Sequence, residues 1–218
     1  MRVKLHICHP AKGNRGGLWA IISILLFFLC SLAAGQQCHN GELCLHLSLP
    51  HINSFNLHPE NEAGRKVNTG FWGVSVGLDY HHSTDQYLQV VAGAVTDIFL
   101  PVPAPVDYSG EVEFMNSLYF SFSNNHIIRK FTVGYGLSVG KNTWELRYYE
   151  GVDDPPPIKD PVTKTSTAFG FVMRGYYQVA DNYYVGIVYR PTVFRFDIEP
   201  SFEYEHVISV DFAARIRI

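Results

Sequence analysis

From residue 42 onward, apolar and polar positions alternate with a period of two, the spacing that places successive side chains on opposite faces of a β-strand. The segment 72–80 is the clearest. Trp72, Val74, Val76, Leu78 and Tyr80 share one face, and Gly73, Ser75, Gly77 and Asp79 share the other. The same alternation runs through 42–49, 86–98, 111–122, 128–140, 167–178, 183–190 and 206–218, which predicts eight strands. No stretch after residue 40 carries a helical period.

The connections alternate in length. Residues 51–70, 99–110 and 141–165 read as long loops. His82-Ser83-Thr84-Asp85, Ser123-Asn124-Asn125-His126 and Val179-Ala180-Asp181-Asn182 read as tight turns, and 197–204 as an intermediate connection. Every proline after the first 35 residues, from Pro50 to Pro200, is assigned to the long-loop end, because proline removes a donor from a ladder. An even number of strands with loops at one end and turns at the other predicts an antiparallel up-and-down barrel.

Period alone does not say which face meets water. In a soluble barrel the apolar face points inward; in a membrane barrel it points at lipid. Two features favour lipid. The polar face is rich in Gly and Ser (Gly73, Ser75, Gly93, Ser117, Ser121, Gly134, Gly136, Ser138), which suit a narrow interior. Trp72, Tyr80, Tyr135, Tyr177, Tyr183 and Tyr189 fall toward the ends of apolar faces, where aromatics with a polar tip sit at headgroup level. A soluble secreted barrel around an apolar ligand is the competing architecture.

Residues 1–17 carry Arg2, Lys4, Lys12 and Arg15 and no acid; an apolar run from Leu18 to Leu32 follows, then Ala33-Ala34-Gly35-Gln36. These are the parts of a secretory signal peptide, with cleavage expected before Gln36 and a single domain over 36–218. Removing the leader changes the charge. Of 17 Lys and Arg, 13 remain against all 20 Asp and Glu, a net charge of −7 with no basic stripe, which argues against nucleic acid. Aromatics at 14 % and charged residues at 17 % also exclude a disordered chain. Cys38 and Cys44 stay behind, separated by a segment with an Asn40-Gly41 turn signal, and are a candidate disulfide in an oxidising compartment.

With these strands, turns and leader, the whole of residues 40–218 resembles the small eight-stranded outer-membrane β-barrel proteins of diderm bacteria. The segment Ser209 to Ile218 is similar to the terminal strand read by the barrel-insertion machinery, departing from it at Ile218, where an aromatic is commonest. The resemblance implies an eight-stranded transmembrane barrel in the bacterial outer membrane, porin-like in architecture, exposed at the cell surface. It implies partnership with outer-membrane lipid, with the insertion machinery and with an extracellular ligand or surface partner. No peptidoglycan-binding segment is legible, so cell-wall tethering is not implied.

The inward face then holds Asp79, Asp97, Glu111, Glu113 and Asp211 together with Lys130, Arg174, Arg190, Arg215 and Arg217. Eight strands leave room for side chains and little water, so these charges are expected to pair and plug the lumen. A narrow ion path is the alternative. A lipid-modifying enzyme is a further one: His82, Ser83 and Asp85 supply the residue types, but neighbours in a tight turn cannot all converge on one substrate. His51 and His58, with Glu60 and Glu62, read as polar loop residues rather than metal ligands, and Pro155-Pro156-Pro157 as loop stiffening. No catalytic residue, cofactor or metal is expected.

Overall fold

The computed structural model describes residues 38–59, 64–99, 110–149, 159–197, 199 and 201–218. The leader, Glu60, Glu62 and Pro155-Pro156-Pro157 lie outside them. Eight strands follow in order: β1 (Leu43–Leu57), β2 (Lys66–Tyr80), β3 (Gln86–Ile98), β4 (Gly110–Ile128), β5 (Phe131–Tyr149), β6 (Val162–Ala180), β7 (Tyr183–Arg195) and β8 (Phe202–Arg217). Each pairs antiparallel with its sequence neighbours, and β1 closes the barrel on β8 with Leu45 opposite Ile216 and Ser54 opposite Ile208. The Ile218 amide donates to the Leu43 carbonyl across that seam at 3.2 Å.

The apolar face points outward. Val74, Val76, Phe131 and Val133 are 59, 49, 57 and 49 % exposed, while Arg174 and Asp211 are 4 and 2 % exposed. On β5 the outward apolar row is Phe131, Val133, Tyr135, Leu137 and Val139. Nine residues at ~3.4 Å each span ~27 Å of strand, or ~21 Å along the normal at ~40° tilt, close to the ~25 Å apolar band of outer-membrane barrels. Above that row β5 turns Lys141, Thr143, Glu145 and Arg147 outward, and β6 turns out Thr163, Thr165 and Thr167. These strands therefore continue past the belt into water.

That continuation corrects the expected boundaries. Residues 51–57, 66–70, 141–149 and 162–165 are strand, not loop; the long connections are 58–65, 99–109 and 150–161. The β4–β5 turn is Arg129-Lys130, not Ser123 to His126. Ser123 and Asn125 are fully buried inward residues of β4, and Asn125 donates to the Ser123 carbonyl at 3.4 Å. A polar run marks a turn only where the strand's inner face is apolar; here the inner face is polar, so the strand runs on.

Three strands reverse their facing partway. In β1, Cys44, His46, Ser48 and Pro50 are buried, then Asn53, Phe55 and Leu57, with a bulge between Pro50 and Ile52. In β2 the register shifts between Phe71 and Gly73, and Trp72 adopts φ +84°. In β7 inward Arg190 and Thr192 give way to Arg195 across a shift between Thr192 and Phe194. Pro50 and Pro191 therefore sit inside strands, at or beside bulges, where a missing donor is tolerated. The buried Asn53 amide serves the β1 and β2 bulges together, donating toward the carbonyls of Pro50, Trp72 and Thr96 at 3.3, 2.9 and 3.2 Å.

Candidate functional site

The lumen is the one place where the inward residues of all eight strands converge. Toward the tight-turn end, Arg215 on β8 lies 3.1 Å from the Asp79 carboxylate on β2. Gln89 donates to Asp79 at 2.8 Å, and His46 approaches the same carboxylate at 3.9 Å. Arg174 on β6 reaches across to the Gln89 side-chain carbonyl and to the Ser121 hydroxyl. Arg215 also donates to the Tyr87 hydroxyl, and its guanidinium lies over the rings of Tyr87 at 4.5 Å and Tyr184 at 4.1 Å. Every one of these cations has an anion, an acceptor or an aromatic face against it. A buried charge requires such partners, since an unpaired ion costs several kcal/mol (order of magnitude).

Two glycines make room for this layer. Gly93 stands opposite Tyr119 across β3 and β4, and a Cβ there would come within 2.6 Å of the phenol oxygen. The Tyr119 ring lies over the strand and offers its face to Arg190 at 4.0 Å, while Arg190 donates to Ser209 at 3.0 Å. Gly186 stands opposite Tyr176 in the same way, and the Tyr176 hydroxyl donates to Asp211 at 2.5 Å.

Above this layer the filling turns apolar. Phe55, Leu57, Val91, Val95, Met115, Tyr119, Trp144 and Val207 form one buried cluster. Around and above it are a few polar anchors. Asp97 accepts from Asn68 at 2.6 Å and from the Met115 amide at 2.8 Å. Arg195 lies 3.7 Å from Glu205, which also accepts from Asn142 at 3.0 Å and the His58 amide at 2.9 Å. Lys66 pairs with Glu113 at 2.6 Å under the Trp144 indole, which donates to the same carboxylate at 3.1 Å. Side chains thus fill the barrel over most of its height.

The predicted lumen residues separate into groups. Asp79, Asp97, Arg174, Arg190, Asp211 and Arg215 are buried inside. Glu113 is half-buried at the upper rim. Glu111 does not belong to the lumen network: it is 63 % exposed at the rim, 4.0 Å from Lys159. Lys130 does not either, because it occupies the exposed β4–β5 turn; the true turn position moves it off the inner face. Arg217 is at the barrel end, 2.6 Å from Glu42. Sequence reasoning missed His46, Tyr87, Gln89, Arg195 and Glu205 as network members. Tyr87 and His46 carried a signal, since they share the inward phase of Gln89 and Ser48; Arg195 lay beyond a facing reversal and carried none.

Of the predicted interface aromatics, Tyr80, Tyr135 and Tyr177 are outward and exposed, and Tyr183 is half-buried at the start of β7. Tyr189 shares a hydroxyl contact with Tyr204. Trp72 departs from the outward row because its own bulge displaces it; His51 packs between its ring and that of Phe71, at 5.5 and 5.6 Å. His51 is therefore a strand residue, and His58 pairs separately with Glu203 at 3.3 Å. His82 and Asp85 are exposed in the β2–β3 turn.

At the tight-turn mouth, Cys38 and Cys44 are joined by a disulfide with Cα atoms 6.4 Å apart. The loop it closes is tied to the β2–β3 turn by two backbone bonds, from Gly41 to the His81 carbonyl at 2.6 Å and from His81 to the Glu42 carbonyl at 3.1 Å. Gly41 takes φ +84°, which closes the turn and favours glycine. His81 is buried and stacked on Tyr87 at 4.9 Å. Burial, with Arg215 close by, pushes its pKa down to about 4, so the imidazole is neutral at ordinary pH. A cavity of about 280 Å³ opens beside the loop, lined among others by His39, His81, Arg129 and Arg215.

No protein-family model matches the sequence, and no curated protein matches it. Solved structures do. The attachment invasion locus protein Ail of Yersinia pestis superposes with a TM-score of 0.52 at 10 % identity, over 82 % of this chain and 99 % of that one. Neisserial surface protein A follows at 0.46 and 12 % identity, over 81 and 97 %. The outer membrane protein OprG of Pseudomonas aeruginosa gives 0.41 and 8 % identity, over 83 and 98 %. At such identities the Ail likeness is one of fold. The fold is that of the small eight-stranded outer-membrane β-barrels, as the alternation in the sequence predicts, and the outward apolar belt makes it a transmembrane one.

Proposed function

We propose that the chain loses residues 1–35 on export and acts as a non-enzymatic outer-membrane barrel with a surface-interaction role, holding the connections 58–65, 99–109 and 150–161 outside the cell toward an extracellular partner. The observation that carries this reading is the filled lumen. A pore needs a continuous wet path, and a catalytic site needs a cleft with convergent reactive groups. Here the axis is taken up by the Arg174–Gln89–Asp79–Arg215 network below and the Phe55–Met115–Trp144 cluster above. What remains to do work is the outer end, where the pairs β1–β2, β3–β4 and β5–β6 carry the long connections beyond the belt. Ail, by its name an attachment protein, is a compatible example of this fold at a surface.

Four measurements test the reading. Reconstituted in a planar bilayer, the protein gives no steady unitary conductance; stable channel openings overturn the plugged barrel in favour of a narrow pore. In intact cells, protease cuts within 99–109 or 150–161 while the protein fractionates with the outer membrane; recovery without detergent overturns it in favour of a soluble barrel. The lipid A profile of a deletion strain matches that of wild type; a change rescued by wild type and not by His82→Ala overturns it in favour of an enzyme. Sequencing the mature N-terminus is expected to start at Gln36.

A further inference from the structure

We propose that Cys38, Cys44 and His81 form a site for one thiophilic d10 metal ion, Zn²⁺ or Cu⁺, when the two cysteines are thiols, so that the loop at the tight-turn mouth has two exclusive closures, disulfide or metal. The geometry comes first. One ligand atom from each of the three residues lies within 4.8 Å of the other two. Ligands held at ~2.3 Å (sulfur) and ~2.1 Å (nitrogen) around one ion stand roughly 3.5–4 Å apart. Opening the S–S bond to a van der Waals separation brings the sulfurs to that distance with little backbone movement, since Cα atoms 6.4 Å apart suit either closure.

The surroundings point the same way. Among the described residues His81 Nε2 is buried with no hydrogen-bond partner, a state that a buried polar atom rarely keeps, and it is free to take a metal. The ring is already oriented, stacked on Tyr87, whose hydroxyl is held by Arg215. The backbone around the ligands is likewise fixed, because His81 exchanges amide bonds with Gly41 and Glu42 inside the cysteine loop. Cys44 is fully buried, while Cys38 is half-buried and lines the adjacent cavity with His81, which leaves an entry path for an ion. Two thiolates and one imidazole are a soft donor set that selects Zn²⁺ or Cu⁺ over Mg²⁺ or Ca²⁺. His39, on the same loop, lines the adjacent cavity and is a candidate fourth ligand for Zn²⁺.

The chemistry balances with a dithiol reductant. It gives two electrons and two protons to the Cys38–Cys44 bond and closes to its own disulfide. Metal binding then displaces the two thiol protons, and two metal–sulfur bonds replace the lost S–S bond.

The test uses the full mature barrel in detergent, reduced by a dithiol under anaerobic conditions, desalted, and titrated with Zn²⁺ against a coloured chelator, with Cu⁺ in a parallel arm. Heat-modifiable gel migration verifies that each variant is folded. Reduced wild type is expected to take one equivalent of metal and lose two titratable thiols, and the oxidised protein to take none. His81→Ala is expected to weaken binding at least tenfold, and Cys44→Ser to abolish it; His81→Gln serves if His81→Ala does not fold. Stoichiometric binding by the oxidised protein, equal affinity in reduced wild type and the His81 variant, or no uptake by reduced wild type in either arm overturns the site.

Discussion

A missing side chain can be as structural as a present one. Gly93 is empty so that Tyr119 can lie across β3, and Tyr119 lies there so that Arg190 has an aromatic face in place of water. A methyl at residue 93 forces the phenol off the strand and takes the guanidinium's partner with it. Overpacking of this kind costs about 1–3 kcal/mol. Gly93→Ala is therefore expected to lower the unfolding free energy of the barrel in lipid vesicles by that much, read as a lower urea midpoint at unchanged slope, without changing its strand content by circular dichroism. Gly140→Ala is the control: the nearest atom to a new Cβ is a carbonyl at 3.4 Å, so its loss is expected to be smaller. The sequence displayed the small residues of the inner face, and their use as landing sites for tyrosine rings was not legible. Which ring crosses which glycine depends on register, and pairs such as Gly93–Tyr119 exist only once β3 and β4 are aligned.

Strands behave differently along their length because their surroundings change. On β5, Leu137 faces lipid near the middle of the outward apolar row, whereas on β6 Thr163 faces outward above it. Leu137→Arg is expected to destabilise by about 2–4 kcal/mol, the cost of a cation at the bilayer midplane. Thr163→Arg, beside Glu145 on β5, is expected to stay within about 0.5 kcal/mol, as exposed substitutions do. Equilibrium unfolding of both in vesicles checks the pair; equal costs would mean that the belt ends elsewhere. This change of surroundings also explains the sequence-level misreading of length. The number, order and facing of the strands were legible from alternation, down to Val74 and Asp79 on opposite faces. The upper halves of β5 and β6 were not, because Lys141, Thr143, Glu145 and Arg147 look like loop composition. Nor were the reversals at Pro50, Trp72 and Val193, since a bulge shifts phase by one residue and leaves two shorter, out-of-step alternations.

Taken whole, the barrel is tied through its centre as well as around its wall. Arg215 from β8 meets Asp79 from β2, and through Gln89 of β3 the chain of contacts reaches Arg174 of β6. Strands that share no ladder are thereby connected. Breaking a buried pair by removing one partner costs about 3–5 kcal/mol, whereas replacing both with apolar groups of similar volume is often close to neutral. Asp79→Leu is expected to show the large loss, and Asp79→Leu with Arg215→Met to recover most of it; a double variant as unstable as the single one would show that Arg215 is held mainly by Tyr87 and Tyr184. Six of the buried interior charges, Asp79, Asp97, Arg174, Arg190, Asp211 and Arg215, were legible as a set from their phase, but their pairing was not, because partners such as Asp79 and Arg215 stand 136 positions apart in the chain.

The reversal of filling between the lower and upper halves has its own consequence. Below, grease faces out and ions face in; above, Trp144, Phe55 and Met115 face in around the Arg195–Glu205 pair, while on β5 and β6 lysine, threonine and glutamate face out. β5 and β6 thus switch from the rules of a bilayer protein to those of an aqueous one partway up. Water drives the upper storey together by the hydrophobic effect, which carries a heat-capacity change, while lipid-facing surface contributes little of that kind. Cooling should therefore loosen the outer end of the molecule before the membrane-embedded end.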